Sequence, residues 1–117
     1  MRIQKTSQYI EGGTQIASYF TNEVNTGVKW IDGKDIYRKS GSYNYSSTGL
    51  VTVETITGID NIINLYGFLN TGSWQYPANS SNGTSSDFQY LFMNGGTIHF
   101  NSVHTGTLLY VIEYTKN

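Results

Sequence analysis

The sequence predicts an all-β protein, a single antiparallel β-sandwich or jelly-roll-like domain of 117 residues. Residue types that favour strands are abundant, with ten Tyr, five Phe and two Trp beside many Thr, Val and Ile. Thirteen glycines with many Asn and Ser supply turns, whereas the helix former alanine occurs only at positions 17 and 78. With 38% hydrophobic residues, a chain of this length can build one core and one domain.

Charge and residue usage exclude several functions. The net charge is −1 and only 13% of residues are charged, so the chain cannot bind nucleic acid mainly by neutralising phosphates. The absence of cysteine excludes disulfides, thiolate metal sites and a cysteine nucleophile. No apolar run approaches the roughly 18–20 residues of a membrane span, and the start of the chain does not resemble a signal peptide. We therefore expect no nucleic-acid partner, no membrane insertion and no cofactor.

The N-terminal part of the chain contains a segment with two alternative interpretations, followed by a predicted hairpin. Residues 1–18 alternate only weakly, and either a lead-in segment joined to an upstream domain or a first edge strand would fit them. Residues 28–31 and 34–39 are predicted to pair as antiparallel strands. Asp32-Gly33 between them is typical of a type I′ turn, which needs positive φ at both central positions. The module proper is expected to span residues 19–117.

Two strands are predicted in the middle of the chain. Residues 50–56 are rich in β-branched side chains. Residues 60–69 carry apolar side chains on both faces, which indicates a central strand or one covered by a neighbouring subunit. A long polar stretch follows at residues 70–87, and loops of that length are often functional.

The C-terminal part predicts a hairpin and a last strand. Residues 88–93 and 96–101 would pair through a two-residue Asn94-Gly95 turn, which places Tyr90 opposite His99. A three-residue loop that includes Gly96 is the alternative and would shift that pairing. The last strand, residues 107–114, is predicted to place Leu109 and Val111 on one face and Leu108, Tyr110, Ile112 and Tyr114 on the other. Four tyrosines are expected to be core or interface residues: Tyr66, Tyr90, Tyr110 and Tyr114.

The candidate binding residues lie in the 70–87 stretch. Aromatic rings present apolar faces to the C–H groups of sugars, and amides hydrogen-bond the sugar hydroxyls. These chemical types predict a sugar site made by Trp74, Tyr76, Asn79 and Asn82. The alternative is that Trp74 and Tyr76 anchor the loop to the core.

Catalytic and metal sites are not predicted. The only imidazoles, His99 and His104, lack the spacing of a metal motif, and no nucleophile-elbow, phosphate-loop or dinucleotide motif is present. A pair of carboxylates could hydrolyse a glycan, but nothing in the sequence brings two together. The candidates for such a pair are Asp32, Asp35, Glu54, Asp60, Asp87 and Glu113.

One stretch of the sequence indicates a protein family more specifically than the overall composition does. It resembles a segment recurrent in tail-fibre proteins of bacteriophages and prophages, and its central motif is Gly27-x-x-Trp30-Ile31-Asp32-Gly33-Lys34-x-Ile36-Tyr37-Arg38. Residues 110–116 are similar to the final strand of those proteins, so the resemblance spans about residues 19–117. Residues 70–87 are longer and richer in Ser and Asn than that family pattern.

The resemblance implies a non-enzymatic C-terminal module of a tail fibre or receptor-binding protein. Such modules are typically β-sandwiches, often homotrimers, that contact polysaccharide on the host cell surface. The expected partners are therefore copies of this chain, a host glycan, and other tail or baseplate proteins. The expected location is the virion, after assembly in the bacterial cytoplasm. The alternatives are a purely structural virion module (baseplate, head fibre or trimerisation piece) and, third, a small glycan-degrading domain.

Overall fold

A computed structural model describes residues 19–81 and 88–117, whose regular secondary structure consists of β-strands joined by turns. The strands are β1 Val24–Lys29, β2 Asp35–Tyr45, β3 Val51–Thr55, β4 Ile59–Asn70, β5 Gln75–Pro77, β6 Ser80–Ser81, β7 Phe88–Asn94, β8 Thr97–Ser102 and β9 Gly106–Lys116. A five-stranded antiparallel sheet has the order β1-β2-β9-β4-β5, and a four-stranded antiparallel sheet has the order β3-β8-β7-β6. The two sheets pack around one hydrophobic core, which confirms the predicted β-sandwich. Residues 1–18, with their two alternatives, lie outside the described residues.

Strand β9 forms the centre of the five-stranded sheet, between β2 and β4. Its alternate side chains are buried, whereas Leu109 between them is 37% exposed on the outward face. Burial of one large aliphatic side chain contributes about 1.5–3 kcal/mol, so β9 is a main source of core stability. The predicted alternation is confirmed for the inward residues Leu108, Tyr110, Ile112 and Tyr114.

Apolar side chains on both faces of β4 predicted either a central strand or a strand covered by a neighbouring subunit. The structure shows a central strand. It pairs with β9 on one side and β5 on the other. Leu69 is fully buried, while Tyr66 on the opposite face is 39% exposed. The pairing with β9 shifts register between Ile62 and Asn64, which marks a β-bulge.

Both predicted hairpins form, but both turns differ from the prediction. In the first, the Gly33 N–H donates to the Trp30 carbonyl at 2.9 Å, so the connection is a four-residue turn closed by glycine at φ +88°. In the second, the two-residue turn is Gly95-Gly96, with φ +60° and +87°, rather than Asn94-Gly95. Consecutive glycines meet both positive-φ positions without a Cβ penalty. Phe92, not Tyr90, therefore lies opposite His99.

The predicted 70–87 loop contains two short edge strands. β5 pairs with β4 at the edge of the five-stranded sheet, and β6 pairs with β7 at the edge of the four-stranded sheet. Between them Ala78 is buried, and its N–H donates to the Gly67 carbonyl at 2.9 Å. Proline is tolerated at such an edge because no ladder donor is needed there, and these runs are too short to show alternation.

Polar side chains join the two sheets at two places. Glu54 of β3 forms an ion pair with Lys39 of β2 and accepts a hydrogen bond of 2.6 Å from the Tyr110 hydroxyl of β9. The buried Tyr45 hydroxyl accepts from the Ser102 N–H at 3.0 Å. Buried hydroxyls and carboxylates are costly unless bonded, so these contacts fix how one sheet lies on the other.

Candidate functional site

Trp74 lies in the turn between β4 and β5, and its side chain is 68% exposed. The turn backbone is held at both ends, because the Thr71 N–H donates to the Trp74 carbonyl at 2.9 Å and the Trp74 N–H donates to Thr71 Oγ1 at 3.1 Å. The Gly72 N–H also donates to Asn70 Oδ1 at 2.9 Å. The turn therefore presents the indole to solvent, and the alternative that Trp74 anchors the loop to the core does not hold.

Tyr76 lies in β5 and is half-buried. Its ring stacks on the His104 ring with centroids 4.4 Å apart and an interplanar angle of 7°. Tyr76 pairs with the fully buried Leu69, so its side chain projects from the same inner face of the sheet. There it contacts the connection between β8 and β9. One face of this ring is covered by protein, which matches the anchoring alternative for Tyr76.

The two asparagines of the predicted site lie farther along the chain. Asn79 is exposed in the connection between β5 and β6. Asn82 lies outside the described residues. Trp74 and Tyr76 flank Gln75 at one end of the five-stranded sheet. Asn79 lies beyond the other end of β5, two residues after Pro77. Of the four predicted residues, the structure thus places Trp74 and Tyr76 at the same end of the sandwich.

Each of the two histidines stacks on a different aromatic ring. His99 stacks on Phe92 with centroids 5.2 Å apart, and His104 stacks on Tyr76. Within residues 19–81 and 88–117, no group of three or more His, Asp and Glu could hold a metal ion.

Acidic side chains are held by neighbouring cations. Glu113 pairs with Arg38, and Glu54 pairs with Lys39. Asp32 accepts the Lys34 N–H at 3.0 Å, which fixes the first hairpin turn, and Asp87 lies outside the described residues. Other ion pairs among the described residues are Asp35 with Lys29, Asp60 with Lys34, and Glu23 with Lys116. A carboxylate held by a cation is a poor match for the proton-exchanging pair of a glycosidase.

Sequence reasoning missed two bonds between phenols and carboxylates. Tyr110 donates to Glu54, and Tyr114 donates to Glu23. Burial, and then the bond to the carboxylate, raises the pKa of each of these phenols. Burial opposes ionisation of Glu23, but its bonds to Lys116 and Tyr114 together lower its pKa. The raised pKa values favour the neutral phenols, so both hydroxyls remain donors to the carboxylates at neutral pH. No strand pattern reveals contacts between residues so far apart in the sequence.

A second missed feature is the outward surface of the four-stranded sheet, defined here as the aromatic face. Tyr90 and Phe92 on it are 48% and 42% exposed. The Phe88 and Tyr90 ring centroids lie 5.0 Å apart. The alternation of aromatic residues at 88, 90 and 92 carried this signal, but Tyr90 had been expected in a core or an interface. The rings of this face belong to Phe88, Tyr90, Phe92 and His99.

The outward surface of the five-stranded sheet carries a groove of about 250 Å³, defined here as the apolar groove. Its floor includes the backbone of Gly41 and Gly67. Its lining residues are Tyr19, Ser40, Gly41, Tyr66, Gly67, Phe68, Leu109, Tyr110 and Val111. Exposed apolar surface of this kind commonly marks an interaction site.

Two tyrosines form one wall of the apolar groove. The Tyr66 and Tyr19 hydroxyls lie 3.5 Å apart, and the Arg38 guanidinium lies 4.6 Å from the centre of the Tyr19 ring. Burial, and then the bond to Tyr19, raises the pKa of Tyr66 to about 12. The Arg38 contact and the hydroxyl bond together fix Tyr19 over the outward face of the sheet.

Another cleft lies at the other end of the sandwich from Trp74. It has a volume of about 440 Å³ between the β3–β4 connection and the Gly95-Gly96 turn. Its wall includes Ile56, Ile59 and Ile62, and its carboxylate, Asp60, is already paired with Lys34. It offers little selective chemistry to a ligand.

Comparison with protein-family models, curated proteins and solved structures finds no match to this chain. The tail-fibre resemblance therefore stays a prediction from the sequence. In the part of the chain that the structure describes, no helix is long and apolar enough to cross a membrane.

Proposed function

We propose that this chain is a host-attachment module of a bacteriophage tail fibre that binds a cell-surface glycan as an oligomer, with a homotrimer as the expected state. The observation that carries the proposal is Trp74, an indole 68% exposed on a turn held by its own hydrogen bonds. Fixing the backbone that carries an aromatic side chain lowers the entropy cost of binding. Flat exposed rings suit the apolar faces of sugars.

The wider architecture supports the same function. Ion pairs hold the described carboxylates outside the hairpin turn, which favours glycan binding over glycan hydrolysis. The apolar groove offers a surface for contact between copies of the chain. Several copies on one fibre would convert weak binding of single sugars into avid attachment.

The apolar groove also favours a second candidate, a purely structural module of a baseplate, a head fibre or a trimerisation piece. That function uses the groove and makes no use of an exposed tryptophan. It predicts a stable oligomer that binds no glycan. The two candidates therefore differ in a single measurable property.

The test compares Trp74→Ala and Tyr76→Ala with Trp30→Ala, a matched control in the hairpin turn at the opposite end of the five-stranded sheet. Binding to immobilised bacterial polysaccharides is measured for each chain. We expect Trp74→Ala to weaken binding about tenfold, corresponding to about 1.4 kcal/mol. Tyr76→Ala should weaken it less, because His104 already covers one ring face. If both variants bind as the control does, this site assignment is wrong.

A further inference from the structure

We propose that the aromatic face is a second glycan-binding surface and that it takes an uncharged polysaccharide chain, laid along β7. This inference rests on the proposed function, because it assumes that the module binds glycans. It names the class of glycan and a site separate from Trp74.

The rings of the aromatic face are arranged in a line. Phe88, Tyr90 and Phe92 alternate along one strand, so their Cα atoms follow each other at about 7 Å. The Phe88 and Tyr90 rings are tilted by 31°, and the Phe92 and His99 rings by 29°. Neighbouring rings lean on each other and hold their orientation, while Tyr90 and Phe92 still expose nearly half of their surface. A linear series of fixed rings matches an extended chain of sugar units better than a single small molecule.

Polar groups border these rings on the same face. Asn101 lies opposite Tyr90, Thr52 lies opposite His99, and Asn94 lies opposite Thr97. Amides and hydroxyls are both donors and acceptors, so they complement sugar hydroxyls beside the stacked rings. An apolar protein partner would leave many of these polar groups without hydrogen bonds, which is costly on burial.

The charge of the face selects among glycans. Strands β6, β7 and β8 contain no Lys, Arg, Asp or Glu. The one charged residue of β3, Glu54, is bonded to Lys39 and Tyr110 of the other sheet. A carboxylated or phosphorylated glycan would find no cation here to offset its desolvation, whereas an uncharged polysaccharide needs none.

A copy of this chain is the competing occupant, and the other sheet suits it better. The apolar groove combines recessed backbone with aliphatic and aromatic walls, which favours close packing between proteins. The rings of the aromatic face project into solvent and are bordered by hydroxyls and amides. We therefore assign the glycan to the four-stranded sheet and the copies of the chain to the five-stranded sheet.

The test uses an array of uncharged polysaccharides (dextran, mannan, galactan) and acidic ones (polygalacturonate, hyaluronate). The full chain is compared with a Tyr90→Ala, Phe92→Ala double variant. Ile31→Ala is the control, because Ile31 is an exposed large apolar side chain in the first hairpin turn and belongs to neither the aromatic face nor the apolar groove. Asn101→Ala supplies a milder change, and circular dichroism confirms that each variant is folded.

We expect the full chain to bind an uncharged polysaccharide, the double variant to lose at least tenfold in affinity, and Asn101→Ala to lose about threefold. The Ile31→Ala control should bind as the unchanged chain does. Binding of acidic glycans only, or full binding by the double variant and Asn101→Ala, would overturn the inference. If Trp74→Ala abolishes binding while the aromatic-face variants do not, the inference fails and the proposed function stands. If the full chain binds no glycan, both fail. A fall in solution mass of the double variant would show that the face contacts another copy instead, and would also overturn the inference.

Discussion

The outward surface of the five-stranded sheet carries an ion pair between Arg38 and Glu113 near an apolar groove, whereas the described outward side chains of the four-stranded sheet include aromatic rings and no Lys, Arg, Asp or Glu. The same strand alternation produces both surfaces. Tyr66, Leu109 and other outward side chains of the first surround the apolar groove, while aromatic side chains occupy the outward positions of β7 in the second. One fold thus presents two unlike surfaces, and we propose different partners for them: protein for the apolar groove and sugar for the aromatic face.

The largest expected effect is on oligomeric state. Leu109→Glu places a charge beside the apolar groove and should convert an oligomer of about three chains into a monomer, because burial of an unpaired charge is very costly. Light scattering measures the mass against the 13.1 kDa chain. Phe92→Glu on the aromatic face is the control and should keep the mass unchanged. A monomeric unchanged chain, or dissociation by the control alone, would contradict the roles assigned to the two surfaces.

The second effect is on the stability of the groove floor. Gly67→Ala should lower the free energy of unfolding by about 3 kcal/mol, because its Cβ would lie 2.1 Å from the Leu109 carbonyl and the backbone must move. Urea unfolding measures the change. The control Gly72→Ala meets no atom within 4 Å and only strains a φ of +98°, so about 1 kcal/mol is expected. Equal losses would show that the close approach of β4 and β9 matters little.

The third effect compares polar pairs on the two surfaces. Glu113 accepts from Arg38 at 2.5 and 2.7 Å, and the two side chains are only 17% and 15% exposed. Glu113→Ala should cost about 1.5 kcal/mol, since the guanidinium loses its partner while partly buried. Thr97→Ala breaks the exposed Thr97–Thr55 hydroxyl contact on the other surface and should cost less than about 0.5 kcal/mol. Thermal unfolding of both variants checks the contrast, which is lost if the two shifts in Tm are equal.

The smallest effect is the titration of Tyr66. Burial and the bond to Tyr19 raise its pKa to about 12, so the folded state favours the neutral phenol. Its contribution to stability is therefore full below pH 10 and is lost as the pH rises towards 12. Phenolate absorbance, compared between the unchanged chain and Tyr66→Phe, should show one phenol fewer titrating near pH 12. If Tyr66→Phe instead loses a phenol that titrates near pH 10, the Tyr66 phenol has the ordinary pKa of a solvent-exposed tyrosine.

The sequence predicted most strands of this fold because alternation in β4 and β9 extends over many residues. It failed where the local signal was short or ambiguous. Gly96 could belong to a turn or to a strand, and only the pairing of β7 with β8 decides that Phe92 lies opposite His99. Strand β5 is three residues long and is held by its neighbour β4.

The candidate site was predicted only in part for a related reason. An exposed aromatic residue and a buried one are the same letter in a sequence, so Trp74 could be placed in a loop but its exposure could not be known. The aromatic face needed the correct register before its residues could be assigned to one surface. The bond from Tyr110 to Glu54 joins two sheets across 56 positions of the chain, which no local pattern predicts.

The most direct test of the account is binding of the labelled chain to a panel of bacterial strains before and after periodate treatment, which cleaves the vicinal diols of surface sugars. We expect strong binding to at least one strain and its loss after periodate, with Trp74→Ala bound more weakly before treatment. Binding that survives periodate, or no binding to any strain while the chain forms a stable oligomer, would contradict attachment through a glycan.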